Sequence, residues 1–248
     1  MLLPSFTILS SLTLSLSHIV PPTILHETFS EKLELTNLII VACHGIWRGG
    51  PALGASDDEW ILEPYQRGHN EALTWIAHIR AGVSLLQGSD NSVLVFSGGE
   101  TRNAGGARAE GPSYWALADA LGLLEGHSQY STTENYARDS YENVLFSICR
   151  FREFTGRYPE TIAVVGYAFK ERRFAAVHRE ALRLPAEKFS YIGIDPLHAP
   201  PGKVDEMRGF EKGLSLAPFE TDPYACFDRS LREKRFGRNP GRRRCSYQ

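Results

Sequence analysis

The 248-residue chain contains no C-x-x-C pair, and its cysteines, Cys43, Cys149, Cys226 and Cys245, stand far apart. That spacing gives no support to a zinc or thioredoxin-type site, and it reads as reduced thiols in a cytoplasmic protein. The chain also lacks G-x-G-x-x-G after an apolar run, G-x-x-x-x-G-K-[ST], G-x-S-x-G and H-E-x-x-H. Ordinary dinucleotide oxidoreductases, P-loop NTPases, α/β-hydrolases of the usual kind and zincins are therefore disfavoured. No strong charge of either sign is present: the formal net charge is −2, so nothing demands a nucleic-acid partner. No apolar run is continuous enough for a stable membrane span. Met1 to Leu25 carries no charge, and so lacks the basic start of a signal peptide, and Pro21-Pro22 ends it. Residues 1–36 read either as an extension or as a targeting segment.

Four short apolar runs are present: Leu38–Cys43, Val93–Phe96, Thr161–Val165 and Phe189–Ile194. Each is nearly continuous, as expected for strands covered on both faces of a parallel sheet. Helical spacing lies between them, over Glu71–Leu86, Ser113–Leu121, Thr133–Phe154 and Arg172–Leu184. Strand–helix alternation of this kind predicts a three-layer αβα, Rossmann-like fold with a mainly parallel sheet over residues 37–197. Residues 198–228 are rich in proline and read as an irregular cover. The basic stretch 229–248 reads as a solvated tail, or as a patch docking on an acidic partner.

The clearest site signal follows the second run. Ser97-Gly98-Gly99 ends it, and Glu110 opens the next helix. Two glycines there let the backbone approach a ligand and turn amides toward it. Ser131-Thr132-Thr133-Glu134 reads as a capping box, which places Glu134, Arg138 and Glu142 on one helical face beside Asn143. Lys170 and Arg173 fall in the first turn of the following helix, where cations oppose the dipole unless an anion binds. His44 is either a structural histidine or a general acid or base. The nearby GASDDEW stretch (54–60) reads as a lid, and its three adjacent acids make a poor metal set without outside ligands. Tyr114 and Trp115 are candidates for stacking on a base, or for the core. Cys43, inside the first run, reads as a small core residue.

Taken together, LIIVACHG (38–45), SGG with Ala109-Glu110-Gly111, STTENYARDSYENVLFS (131–147) and VVGYAFKERRF (164–174) resemble the ElyC/SanA/YdcF family, a domain of largely undefined function. The resemblance runs from about Leu38 to Pro196. The pattern DPYAC (222–226) with LREKRFGRNP (231–240) is similar to a eukaryotic branch without the bacterial membrane helices. The resemblance implies a Rossmann-like domain whose polar residues gather at the carboxyl ends of the strands. On its motif positions fall the SGG loop, Glu110, Glu134, the block Ser140-Tyr141-Glu142-Asn143, and Arg173. Where bacterial members carry a histidine three residues before that arginine, this chain has Lys170, which favours anion binding over proton transfer.

Three readings of function follow. One is a hydrolase- or transferase-like enzyme acting on a small anion such as a nucleotide or sugar phosphate. In it, Glu110, Glu134 and Glu142 are the candidate catalytic residues, and Ser97, Gly98, Gly99, Asn143, Lys170, Arg173 and His44 hold the ligand. Another is a non-catalytic module binding a nucleotide or adenosyl ligand. The last is an interaction protein docking through its basic tail. The sequence names no cofactor.

Overall fold

The computed structural model describes residues 34–196 and 198–247; most of the N-terminal extension lies outside them. Strand β1 (Asn37–Ala42) is central, with β4 (Ser92–Ser97) on one side and β6 (Thr161–Gly166) on the other. Strand β5 (Ser131–Glu134) pairs with β4 and β7 (Phe189–Gly193) with β6, giving the all-parallel order β5-β4-β1-β6-β7. After Asn37, β1 is apolar because both of its faces are covered. Ile39 and Val41 pack into a cluster with Trp75, Ile79, Val83 and Leu86 of α1 (Glu71–Gln87) and Leu117 of α2 (Glu110–Ala120). The alternate residues Leu38, Ile40 and Ala42 pack on the opposite face. There they meet Val144 and Phe151 of α3 (Ser140–Thr155) and Phe174 of α4, a π-wound segment Arg173–His178 that continues through Arg179–Ala181. Burial of each such large side chain stabilises by about 1.5–3 kcal/mol. The expected three-layer α/β fold is therefore present. Leu35, placed in the extension by the sequence, is buried and belongs to this core.

Three expectations are corrected. Ser131–Glu134 is not a helix cap but the edge strand β5, in register with Leu94–Ser97. The helix begins at Ser140, where the Asp139 side chain accepts from the Glu142 amide and satisfies one of the orphan donors. Residues 198–228 are not irregular: they form α5 (Lys203–Glu211), a π-turn (Lys212–Leu216) and α6 (Ala217–Thr221). Nor is the basic stretch solvated throughout. Capped by Asp228, α7 (Arg229–Gly237) buries Leu231 against Tyr141 and Phe219, and Arg235 pairs with Asp139 at 2.5 Å.

The segment read as a lid is pinned. Buried Glu59 accepts from the Ala52 and Gly54 amides at 2.6 Å each and from Trp47 Nε1 at 3.4 Å. Trp60 Nε1 donates to the Gly54 carbonyl, and Asp57 accepts from the Gly68 amide. A two-residue ladder between β2 (Ile46–Trp47) and β3 (Trp60–Ile61) closes the loop. Among the described residues, no group of three His, Cys, Asp or Glu side chains is placed to hold a metal ion, and no helix is long and apolar enough to cross a membrane.

Candidate functional site

The strand order reverses between β1 and β6, and in such sheets the crevice beyond the carboxyl ends at that point is the usual ligand site. A cavity of about 480 Å³ lies there. His44 enters it from the end of β1, and Tyr167, Phe169, Lys170 and Arg173 from the end of β6. Arg102 and Glu110 line it from beyond β4, and Ser140 and Asn143 from the start of α3. Phe210 and Glu211 of α5, Lys234 of α7 and Arg238 just past its end line it from the cover, and Glu71 of α1 and Glu206 of α5 add carboxylates.

His44 is held through its backbone. Its amide donates to the Tyr114 hydroxyl, and its carbonyl accepts from Gln66 Nε2 at 3.0 Å and Arg102 Nη2 at 2.6 Å. The ring stacks on Tyr167, with centroids 4.7 Å apart. Lys170 Nζ donates to His44 Nδ1 at 3.5 Å, whereas Nε2 is buried with no hydrogen-bond partner. Burial, and then the neighbouring Lys170, His78 and Arg102, hold the imidazole pKa well below its ordinary value, so the ring is neutral at pH 7. The Lys170 ammonium sits 4.8 Å above the Tyr167 ring centroid. Burial first, and neighbouring Arg173 second, lower its pKa to about 7.

Arg173 is spoken for. Its Nε and Nη2 meet the Glu211 carboxylate at 2.6 and 2.9 Å, and Nη1 donates to Ser140 Oγ. Lys234 donates to Ser215 Oγ at 3.2 Å, and burial and Arg238 lower its pKa to about 8. Arg238 Nη1 donates to the Arg138 carbonyl. Among the described residues, Lys170, Lys234 and Arg238 have no ion-pair partner, although Glu71 and Glu211 line the same cavity.

The other expected site residues separate into two groups. Glu110 lines the cavity, accepts from Thr101 Oγ1 and lies 3.6 Å from Arg102 Nη2. Asn143 also lines it, but its Nδ2 donates to the carbonyl and hydroxyl oxygens of Ser97. Ser97, Gly98, Gly99, Glu134 and Glu142 are not on the cavity wall. The expected amide cradle is already committed: Gly98 N–H donates to Glu134 O and Gly99 N–H to Ala137 O, at 3.0 and 2.8 Å. The carbonyls of Gly99 and Gly98 in turn take the first amides of α2, from Glu110 and Gly111. These glycines permit close packing, since a Cβ on Gly98 would lie 2.7 Å from Glu110 Oε2 and 3.1 Å from Cys43 Cβ.

Glu134, fully buried, accepts from Ser97 Oγ and from the amides of Tyr136 and Ala137. It shapes the turn after β5, and burial raises its pKa to about 7. Glu142 accepts from the Arg138 amide and guanidinium and lies 3.4 Å from Arg235. The shared helical face for Glu134, Arg138 and Glu142 therefore does not exist. Tyr114 is fully buried core; Trp115 Nε1 donates to Ser131 Oγ. Cys43 is a buried core thiol.

Sequence reasoning missed Arg102, Glu211, Lys234 and Arg238. For the last two a signal existed: Asp228 three residues before Leu231 is a cap followed by a helical apolar position, inside what looked only like a charge run.

No family model and no solved structure matches the chain. Among curated proteins, the uncharacterized protein YOR238W of Saccharomyces cerevisiae is 32% identical over 267 aligned residues, covering 88% of this chain and 87% of its own. The chain belongs to the family of that yeast protein. The aligned share exceeds what the sheet alone would supply, so the relationship takes in most of the chain.

Proposed function

We propose that this protein is an enzyme, hydrolase- or transferase-like, acting on a small anionic substrate such as a nucleotide or sugar phosphate at the β1/β6 switch point. The observation that carries the reading is the gathering of three cations outside any ion pair, Lys170, Lys234 and Arg238, around one cavity. Half-buried cations outside any ion pair favour an incoming anion, and charge-assisted hydrogen bonds would hold it. Neutral His44, with an unpartnered Nε2, is the candidate proton-transfer group, and Glu110 orients the wall beside it. Glu134 and Glu142 have no part in this reading, because neither lines the cavity.

The same reading keeps the resemblance to the ElyC/SanA/YdcF domain, supported by the parallel sheet and by the gathering of His44, Glu110 and Lys170 at strand ends. A cytoplasmic location belongs with it. A thermal-shift and product screen of nucleotides and sugar phosphates is the test. A ligand at a hundred times its Kd stabilises by about 2.7 kcal/mol. Lys234→Ala and Arg238→Ala are expected to weaken binding about tenfold each. Unchanged affinity in both variants would overturn the assignment.

A second reading, a nucleotide or adenosyl-ligand module without turnover, draws on Phe169 and Phe210 in the cavity wall as stacking surfaces. Saturable binding without product, unaltered by Glu110→Gln, would favour it. Docking through the basic tail has less support, since Arg235, Arg238 and Arg243 bond back to Asp139, Arg138 and Glu100.

A further inference from the structure

We propose that Lys170 is a nucleophilic amine that condenses with the carbonyl carbon of a phosphorylated aldehyde or ketone, with His44 relaying the protons. The proposal rests on the anion-binding reading above and narrows it to carbonyl-bearing phosphates. The surroundings of Lys170 carry it. Lys170 Nζ is on the cavity wall, and its hydrogen bond goes to a neutral imidazole, not to a carboxylate. It lies over the Tyr167 ring, a surface that stabilises a cation but accepts no proton from it.

The titratable and charged groups that face it are Arg173 on its own segment, neutral His44 at the end of β1, Lys234 of α7, Glu71 of α1 and Glu211 of α5. Of the two acids, Glu211 is held by Arg173 and Glu71 accepts from the Tyr167 hydroxyl, so neither fixes the ammonium. Lys234 and Arg238 remain unpaired on the same wall to hold a phosphate. A desolvated lysine beside other cations is the arrangement that yields free amine at neutral pH. A pKa lowered to about 7 leaves a substantial share of Lys170 as free amine there. An ordinary lysine is unprotonated to less than about one part in a thousand.

The step balances without a redox partner. The amine lone pair forms the N–C bond while the carbonyl π pair moves to oxygen. His44 takes the proton leaving nitrogen and returns it to that oxygen, giving the carbinolamine. A further proton on the hydroxyl releases water as the nitrogen lone pair forms C=N⁺. Ammonium plus carbonyl thus becomes protonated imine plus one water.

The experiment treats the full chain with pyridoxal 5′-phosphate, used as a phosphorylated aldehyde probe, and then with borohydride, and maps the adduct by mass spectrometry. Inorganic phosphate binding is measured in parallel by calorimetry. The expected result is one equivalent on Lys170 at pH 7, several-fold faster than at Lys234, whose pKa is about 8, and at least about tenfold faster than at any exposed lysine. Inorganic phosphate should suppress it, and a folded Lys170→Arg variant that still binds phosphate should not form it. The wild-type labelling rate should have its midpoint near pH 7, a readout that needs no variant. Phosphate binding with Lys170 left unlabelled, or with a midpoint in the ordinary lysine range, would overturn the inference alone. Neither label nor phosphate binding would overturn the anion reading with it.

Discussion

Lys170 and His44 are two bases that burial and mutual repulsion keep from both carrying protons near pH 7. A bound anion raises the pKa of each nearby lysine, so protons and anion are taken up together. The affinity for sulfate, whose own charge is fixed over this range, should therefore be highest below pH 7. It should fall as pH rises through the values of Lys170, about 7, and Lys234, about 8. The slope is at most about tenfold per pH unit for each site. Calorimetry between pH 6 and 8.5 measures it, and Lys170→Arg should flatten the lower half.

Glu134 gives a stability signature of the opposite origin. Its folded-state pKa, about 7, lies above its ordinary value of 4.5. Between those values the unfolded chain has released the proton and the native chain retains it. Stability should therefore decline across pH 4.5–7, by on the order of 3 kcal/mol, and stay low above. Glu134→Gln, which keeps a carbonyl for the Tyr136 and Ala137 amides, should remove most of that slope in a Tm–pH series. At this scale Glu110, Lys170 and His44 were legible, because position after an apolar run places a side chain at a strand end. The fates of Glu134 and Glu142 were not. A carboxylate that organises a turn and one that faces a cavity look alike until the fold fixes their partners.

Among the elements, those with one dominant force were readable from residues. Leu38–Cys43 and Thr161–Val165 pair only as buried strands, and their edges shifted by a residue or so. β5 escaped because it is a polar edge strand, STTE, whose pairing with Leu94–Ser97 is supplied by β4 and not by its own apolarity. Two S/T/D-x-x-E patterns stand eight residues apart, at Ser131 and Asp139, and the second starts the helix. Asp139 both caps α3 and pairs with Arg235. Asp139→Ala should then cost about 3 kcal/mol, and Asp139→Asn, which keeps the cap, markedly less. Chemical denaturation of the two variants separates the roles. Gly111→Ala offers a stricter case, since its Cβ would lie 2.6 Å from Phe96 O and 2.7 Å from Glu134 O. Backbone on both sides leaves no side chain to move, and a loss of about 1–3 kcal/mol is expected in the same assay.

For the molecule as a whole, the cavity is walled by residues from Ala42 to Arg238, so the cover is part of the site. Its anchor is a small apolar cluster, Tyr141, Phe219, Ala225 and Leu231. Leu231→Ala should destabilise by about 2–4 kcal/mol and weaken anion binding together, whereas truncating a side chain distant from the cover would affect only stability. Paired melting and calorimetric titration would show whether the two losses travel together.

Between α6 and α7 the chain passes through Phe227, 86% exposed, while Asp222 grips the amides on either side of that ring's Cα–CO bond. An aromatic ring held out on a surface connection is what a chymotrypsin-like protease selects. One cut there would sever no strand and leave the sheet standing, yet it would divide Lys234 and Arg238 covalently from the floor they face. Such a nick would make the cover a detachable subunit, and ligand affinity would then depend on protein concentration.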